Sequence, residues 1–68
     1  MVYFVFVNKA TLNEVWFRIK NETLFSKAVI SYCQRGGIKY IKCKYDERKT
    51  IEENGITNNE RIYVEHCA

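Results

Sequence analysis

The chain has 68 residues and a formal net charge of +3, with 47% hydrophobic and 15% aromatic side chains. This apolar content excludes a disordered segment, and a mild charge with acids among the basic residues is untypical of a nucleic-acid binder. The length predicts one domain, residues 1–68, with one small core. The apolar run at residues 2–7 is too short for a signal peptide or a membrane span. We therefore expect a cytoplasmic or nuclear protein that binds neither nucleic acid nor membrane.

The three cysteines, Cys33, Cys43 and Cys67, are widely spaced and fit reduced thiols inside the cell. No two of them have the Cys-x-x-Cys spacing of a zinc site, and His66 has no second ligand pair to complete one. His66 and Cys67 are neighbours, whose side chains point to opposite faces of a strand, so they do not form a catalytic pair. We expect no metal, no cofactor and no enzymatic activity.

The first elements along the chain are two strands joined by a turn. Residues 2–7 are all β-branched or aromatic, which predicts a strand that is apolar on both faces. The polar segment 8–13 is typical of a hairpin turn. Residues 14–20 alternate with period two, which predicts a strand with one buried face. The apolar face of this second strand consists of Val15, Phe17 and Ile19.

A helix is predicted over residues 24–35. Thr23 is a suitable N-cap, because its hydroxyl can accept a hydrogen bond from the free amides of the first turn. Arg35 suits the helix dipole in the last turn, and Gly36-Gly37 ends the helix because glycine adopts the left-handed conformation. Apolar side chains recur at helical spacing at Phe25, Ala28, Val29, Tyr32 and Cys33.

The rest of the chain predicts two more strands. Residues 38–45 alternate and form the third strand, residues 50–56 form an irregular or short helical turn, and residues 61–65 form the last strand with Ile62 and Val64 inward. The order ββαββ builds a mixed sheet with the helix packed across one face. The predicted class is α+β, in the arrangement known as the β-grasp.

The helix end carries a resemblance to a known family. The run at residues 31–38, Ser-Tyr-Cys-Gln-Arg-Gly-Gly-Ile, resembles the small ubiquitin-like modifiers (SUMO), in which Ser-Tyr-Cys-Gln-Arg-x-Gly is characteristic. The similarity extends back without a gap to residues 15–20, where SUMO has a strand of the same apolar-basic alternation. Residues 49–62 resemble the ubiquitin family's turn and final strand. The resemblance covers nearly the whole chain and implies a ubiquitin-like β-grasp, shortened between the helix and the last strand.

The resemblance also implies a function as a non-catalytic interaction module. SUMO proteins bind an extended hydrophobic-acidic peptide in a groove between the second strand and the helix, where it adds a strand to the sheet. The implied floor is Phe17 and Ile19, with Tyr32 as the far wall. Ala28 replaces a larger aliphatic residue, which implies a wider or weaker pocket. The implied groove residues are Phe17, Arg18, Ile19, Lys20, Lys27, Ala28, Tyr32 and Arg35, of which Lys20, Lys27 and Arg35 form a basic rim.

Departures from the family leave alternatives open. The chain ends Glu-His-Cys-Ala at residues 65–68, where conjugating members carry a diglycine, so the chain as given is not expected to be conjugated. One alternative is a modifier in truncated form that lacks its diglycine tail. Another is a sulfur-carrier relative, which needs the same tail. Ala10, Tyr63 and Glu65 replace the ubiquitin hydrophobic patch, so ordinary ubiquitin receptors are not expected partners.

The outer face of the sheet offers a last alternative. If Tyr3, Val5 and Val7 face the helix, the remaining aromatic side chains of the hairpin point outward. Adjacent aromatics on an open sheet face tend to mark an interface, here a homodimer or a partner surface. The competing interpretation is that cross-strand aromatic pairs only stabilise a thin sheet. The predicted outward set is Phe4, Phe6, Trp16 and Tyr63.

Overall fold

Four strands and one helix make up residues 1–67, which the computed structural model describes; residue 68, the last of the predicted domain, lies outside the described residues. The sheet has the order β2-β1-β4-β3, with β1 parallel to β4 and the other pairs antiparallel. The predicted order ββαββ, the mixed sheet and the β-grasp arrangement are confirmed. The elements are β1 (Val2–Asn8), β2 (Glu14–Ile19), α1 (Phe25–Gly36), β3 (Tyr40–Lys42) and β4 (Glu60–Cys67).

The register of the first hairpin decides which side chains enter the core. Phe4 lies opposite Phe17, and Phe6 lies opposite Val15. Directly opposed residues of an antiparallel pair share one face of the sheet. Because Phe17 faces the helix, Phe4 and Phe6 must face it too, and both are completely buried. The prediction that these two phenylalanines point outward is therefore wrong.

The core is a cluster of aromatic rings between the sheet and the helix. The Phe6 ring lies edge-on to Phe17, Phe25 and Tyr32, with ring centroids 5.2, 5.8 and 5.2 Å apart. Burying one such side chain contributes roughly 1.5–3 kcal/mol, so this cluster dominates the stability of a short chain. Aliphatic side chains complete the core, namely Val2, Ala28, Val29, Ile41, Ile51, Ile56, Ile62 and Val64.

The helix begins and ends by different means. Its N-cap position is Leu24, and no side chain caps the first turn, so the prediction of Thr23 as the N-cap is wrong. The amide of Phe25 donates instead to the carbonyl of Lys49 at 2.8 Å, and the amide of Ser26 donates to the carbonyl of Glu47 at 3.1 Å. The predicted glycine C-cap is confirmed, because Gly37 adopts a left-handed conformation with φ 62°.

The segment between β3 and β4 is held by one asparagine. The strand that was predicted at residues 38–45, before this segment, is shorter in the structure and consists of the three residues of β3. The amide of Asp46 donates to Asn54 Oδ1 at 2.9 Å, and Asn54 Nδ2 donates to the carbonyls of Asp46 and Thr50 at 2.9 and 3.1 Å. The backbone groups of Asp46 and Thr50 therefore form hydrogen bonds with the Asn54 side chain and not with a neighbouring strand. Thr50 and Glu53 then cap each other's amides, which begins the predicted turn.

Candidate peptide-binding groove

The groove lies between β2 and α1 on the inner side of the sheet. Because β2 is an edge strand, one side of its backbone has no neighbouring strand within residues 1–67. We call the two ends of the groove the hairpin end, beside Val15 and Arg35, and the loop end, beside Lys20 and Lys27. The helix runs back along β2, so that its last turn lies at the hairpin end, where Arg35, Gly36 and Val15 line one cavity.

The hydrogen bonds of the hairpin show which backbone groups of β2 are free. The amide of Asn8 donates to the carbonyl of Asn13 at 2.9 Å, and hydrogen-bonded pairs alternate with non-bonded pairs from there along an antiparallel ladder. Tyr3, the partner of Arg18, fits this pattern, since its carbonyl accepts from Asn59 on the other side of β1 at 2.7 Å. The backbone groups that point to the open edge therefore belong to Glu14, Trp16 and Arg18.

The predicted floor residues lie on the helix side of β2. Phe17 is buried and stacks on Phe4, with ring centroids 5.7 Å apart, whereas Ile19 and Val15 are half-buried. The accessible apolar surface of β2 thus consists of Val15 and Ile19, with Phe17 between them. Ala28 is completely buried, so a partner cannot reach its side chain, and the wider or weaker pocket expected beside it stays a prediction.

The predicted basic rim is divided between the two ends of the groove. Arg35 lies across the hairpin end, with its guanidinium carbon 5.6 Å from the centroid of the Phe17 ring. Lys20 and Lys27 are exposed at the loop end. Lys27 and Arg35 are about 12 Å apart along the helix axis, at a rise of about 1.5 Å per residue. An extended peptide would meet different cations at its two ends.

Arg18 does not join this rim. It pairs with Tyr3, and its guanidinium carbon lies 5.7 Å from the centroid of the Tyr3 ring on the outer face of the sheet. Because Arg18 stands between Phe17 and Ile19 on one strand, it must point to the opposite face from both. The prediction of the Arg18 side chain in the groove is therefore wrong, although its backbone lies at the open edge.

A cavity of about 310 Å³ opens at the hairpin end. Tyr32 lies in its wall, with its hydroxyl 2.6 Å from Nε2 of His66. Burial raises the pKa of the Tyr32 hydroxyl, with the neighbouring Cys33 as a second cause, so the hydroxyl keeps its proton at neutral pH. This role of His66 was not predicted; its place two residues after inward-facing Val64 was the available signal. The lining residues are Asn8, Asn13, Val15, Tyr32, Arg35, Gly36, Ile38 and His66.

The outer face carries Trp16 and Tyr63, as predicted, and Tyr3 takes the place of the two phenylalanines. These three aromatic side chains are 47–48% exposed. Between them, Val5 and Val7 are completely buried although no second layer covers this face within residues 1–67. Long side chains of the neighbouring strands cover the valines, among them Arg61, which forms an ion pair with Glu14 at 2.8 Å.

A second cavity, of about 410 Å³, lies on the other side of the helix toward β3 and was not predicted. Its exposed apolar side chains are Ile30 and Tyr40. Cys33 lines it, and burial raises the pKa of this thiol, with Glu47 as the second cause. Burial and Glu47 raise the pKa of the Cys43 thiol in the same way. Within residues 1–67, no three His, Cys, Asp or Glu side chains are grouped to hold a metal ion.

Comparison with known proteins gives a likeness in structure alone. No family model matches the chain, and no curated protein matches its sequence. A solved structure described as "Molecular Mimicry of SUMO promotes DNA repair" is similar, with a TM-score of 0.75 and 10% sequence identity over 93% of this chain and 88% of that chain. At this identity the likeness establishes the fold, which is the ubiquitin-like β-grasp. No helix of residues 1–67 has the length and apolar character to span a membrane.

Proposed function

We propose that this chain is a non-catalytic, SUMO-like interaction module whose groove binds an extended hydrophobic-acidic peptide. The observation that carries the proposal is the open edge of β2, where Glu14, Trp16 and Arg18 direct their backbone groups away from β1. A peptide that adds a strand there gains main-chain hydrogen bonds, and its alternate side chains reach Val15 and Ile19. The similar structure concerns molecular mimicry of SUMO, which agrees with this choice.

The charges beside the groove favour an acidic partner. Lys20, Lys27 and Arg35 are exposed, and none of them forms an ion pair within residues 1–67. Charges that have no internal partner are available to steer and orient a partner of opposite sign. Acidic residues flanking a hydrophobic stretch would meet these cations at either end of the groove.

The cysteines support a role without catalysis, in the cytoplasm or nucleus. The raised pKa values of Cys33 and Cys43 keep both groups as thiols at neutral pH, and the thiolate is the nucleophilic form. His66 lies against Tyr32 on the inner side, whereas Cys67 follows it on β4 and points to the other face. A reducing compartment would keep all three thiols free.

The test follows the backbone amides of β2 while a capped peptide of four aliphatic residues and flanking aspartates is titrated. We expect chemical-shift changes between residues 14 and 35 and slower hydrogen exchange at the amides of Glu14, Trp16 and Arg18. Trp16→Pro removes one outward amide without breaking the ladder to β1, because edge strands tolerate proline where the N–H faces solvent. Trp16→Ala is the matched control, since it removes the same side chain and keeps the amide. Equal affinity of the two variants would disprove strand addition.

A second candidate function is assembly through the outer face. Tyr3, Trp16 and Tyr63 are half-exposed on one side of the sheet, and such aromatics favour a homodimer or a partner surface. Sedimentation velocity over a wide concentration range tests the homodimer. We would expect a dimer that Trp16→Ala dissociates, whereas a monomer at every concentration would reject this candidate.

A further inference from the structure

The hairpin-end cavity brings together polar groups that come from distant parts of the chain. Arg35 comes from the last turn of the helix, Asn13 from the hairpin, and His66 from the end of β4. Tyr32 joins the helix to β4 through its contact with His66 at 2.6 Å. The part-buried contact of the hydroxyl with the imidazole gives this wall hydrogen-bond donors, and the guanidinium adds a permanent positive charge.

Among residues 1–67, no acidic side chain lines this cavity. Glu65 is the neighbour of His66 on β4, but it lies on the outer face, where its carboxylate is 3.4 Å from Nζ of Lys9. Arg35 therefore has no carboxylate partner within residues 1–67, and its guanidinium carbon lies 5.6 Å from the centroid of the Phe17 ring. A guanidinium without an acid, beside a tyrosine and a histidine, offers a complementary environment to an anion.

We propose that the hairpin-end cavity binds a carboxylate group, held by Arg35 and by the Tyr32–His66 pair. The inference rests on the proposed function for the source of that carboxylate, which is an acidic side chain of the bound peptide. The loop end differs, because Lys20 and Lys27 are exposed side chains that do not line this cavity. The two ends of the groove are therefore unequal, and the carboxylate at the hairpin end fixes the direction in which the peptide lies.

One local effect opposes the carboxylate. The helix ends at Gly36, and the carbonyl groups of a helix C-terminus disfavour an anion. The amide of Ile38 donates to the carbonyl of Cys33 at 2.9 Å, which satisfies one of these carbonyls internally. Arg35 lies in the same turn, and its positive charge offsets the partial negative charge of the remaining carbonyl groups. We therefore expect weak, charge-dependent binding of a single carboxylate, strengthened when the peptide holds it in place.

The first experiment tests the cavity without a peptide. The ring signals of Tyr32 and His66 are followed by NMR in sodium acetate and in sodium chloride at equal ionic strength and neutral pH. We expect a saturable shift in acetate alone, abolished in Arg35→Gln and retained in Arg35→Lys, which keeps the charge. Equal shifts in acetate and chloride would overturn the proposal, as would an acetate response that survives in Arg35→Gln.

The second experiment tests whether Arg35 binds the aspartates of a bound peptide. Two capped peptides share one hydrophobic stretch and carry aspartates before it or after it. The peptide that binds the native chain more tightly should lose about three- to fivefold in affinity to Arg35→Gln, the effect of one charge pair open to water. Lys42→Gln, which removes an exposed charge on β3 outside the groove, is the matched control and should leave this peptide nearly unaffected. Equal losses in both variants would overturn the proposal.

The two experiments separate the cavity from the groove. A saturable acetate response with no binding of either peptide would support the carboxylate site and reject the proposed function. The opposite result is peptide binding along β2 with no acetate response, and with equal losses of peptide affinity in Arg35→Gln and in the control variant. That result would support the groove and reject the carboxylate site. Tyr32→Phe adds a local check, because it keeps the ring in the core and removes the hydroxyl, and it should weaken the acetate response.

Discussion

The two faces of the sheet exclude water in different ways, although the same strand supplies both. On the inner face, Phe4 and Phe6 of β1 lie beneath the helix, in a cluster of stacked and edge-on rings. On the outer face, Val5 and Val7 are equally buried, although residues 1–67 place no second layer there and their neighbours are residues of the adjacent strands β2 and β4. The inner face is a core between two layers, whereas the outer face is sealed by long amphipathic side chains.

The difference teaches how far burial alone identifies an interface. Complete burial of Val5 and Val7 would ordinarily indicate a second layer or a partner, yet neighbouring side chains achieve it here. Arg18 and Arg61 lie over the rings of Tyr3 and Tyr63, respectively. Their guanidinium carbons are 5.7 and 5.9 Å from the ring centroids. A half-exposed aromatic surface of this kind needs a measurement to decide whether it is a cover or an interface. Substitutions at four positions, from the largest expected effect to the smallest, test the comparison.

Phe6→Ala should cause the largest loss. Its ring contacts Phe4, Phe17, Phe25 and Tyr32, so the substitution leaves a cavity in the aromatic cluster and costs about 3–5 kcal/mol of unfolding free energy. Urea unfolding followed by circular dichroism measures it. Phe6→Leu keeps most of the volume and gives a smaller loss if the alanine variant does not fold. A loss below about 1 kcal/mol in Phe6→Ala would contradict the inner position.

Val5→Ala tests whether the outer face is truly sealed. Two methyl groups leave a buried site, and at about 0.8 kcal/mol each the unfolding free energy should fall by roughly 2 kcal/mol. The same urea titration measures the change. A result within about 0.5 kcal/mol of the native chain would show that water already reaches Val5 and that the cover is open.

Two substitutions of Arg61 separate the contribution of its aliphatic stem to stability from the contribution of its charge. Arg61 lies beside Val5 in the sheet and forms an ion pair with Glu14, both partners being partly exposed. Arg61→Ala removes cover and charge and should cost about 1 kcal/mol, while Arg61→Met keeps an apolar stem and should cost about half of that. Thermal unfolding of the two variants measures the difference. Equal losses would mean that the ion pair, and not the cover, stabilises this face.

Trp16→Thr should have the smallest effect on stability. The side chain is half-exposed, and threonine is favourable in strands, so we expect a loss of about 0.5 kcal/mol or less. Differential scanning calorimetry measures it at several protein concentrations. A large loss that grows with concentration would instead show that Trp16 is buried between two copies of the chain.

Local patterns were sufficient to predict most of the fold. The hairpin, the helix to within one residue at each end, the Gly37 cap and the inward Ile62 and Val64 all follow from periodicity and glycine chemistry. The face of β1 did not, because residues 2–7 are apolar on both sides and contain no alternation to read. Pairing with Phe17 decides that face, and the same pairing argument could have been made from the sequence.

The site was predictable in part. Phe17, Ile19, Lys27 and Arg35 lie where the resemblance placed them, and their role in peptide binding stays a prediction. The partnership of Tyr32 with His66 depends on where the end of β4 lies beside the helix, which no local pattern contains. Asn54 was missed for a similar reason, since its amide acts on Asp46 and Thr50 through a loop that only the folded chain closes.

The start of the helix has a consequence for how the chain folds. The first amides of the helix depend on the carbonyls of Glu47 and Lys49, which follow β3 in the sequence. A helix of 12 residues is marginal in water on its own, and this one lacks a local cap as well. Its first turn is therefore stabilised only when this long-range loop closes, and contacts between distant parts of a sequence are typical of slower folding. A fragment that ends before residue 47 would lose the first helical turn together with the loop, and a nascent chain would acquire a stable helix only once that loop has emerged.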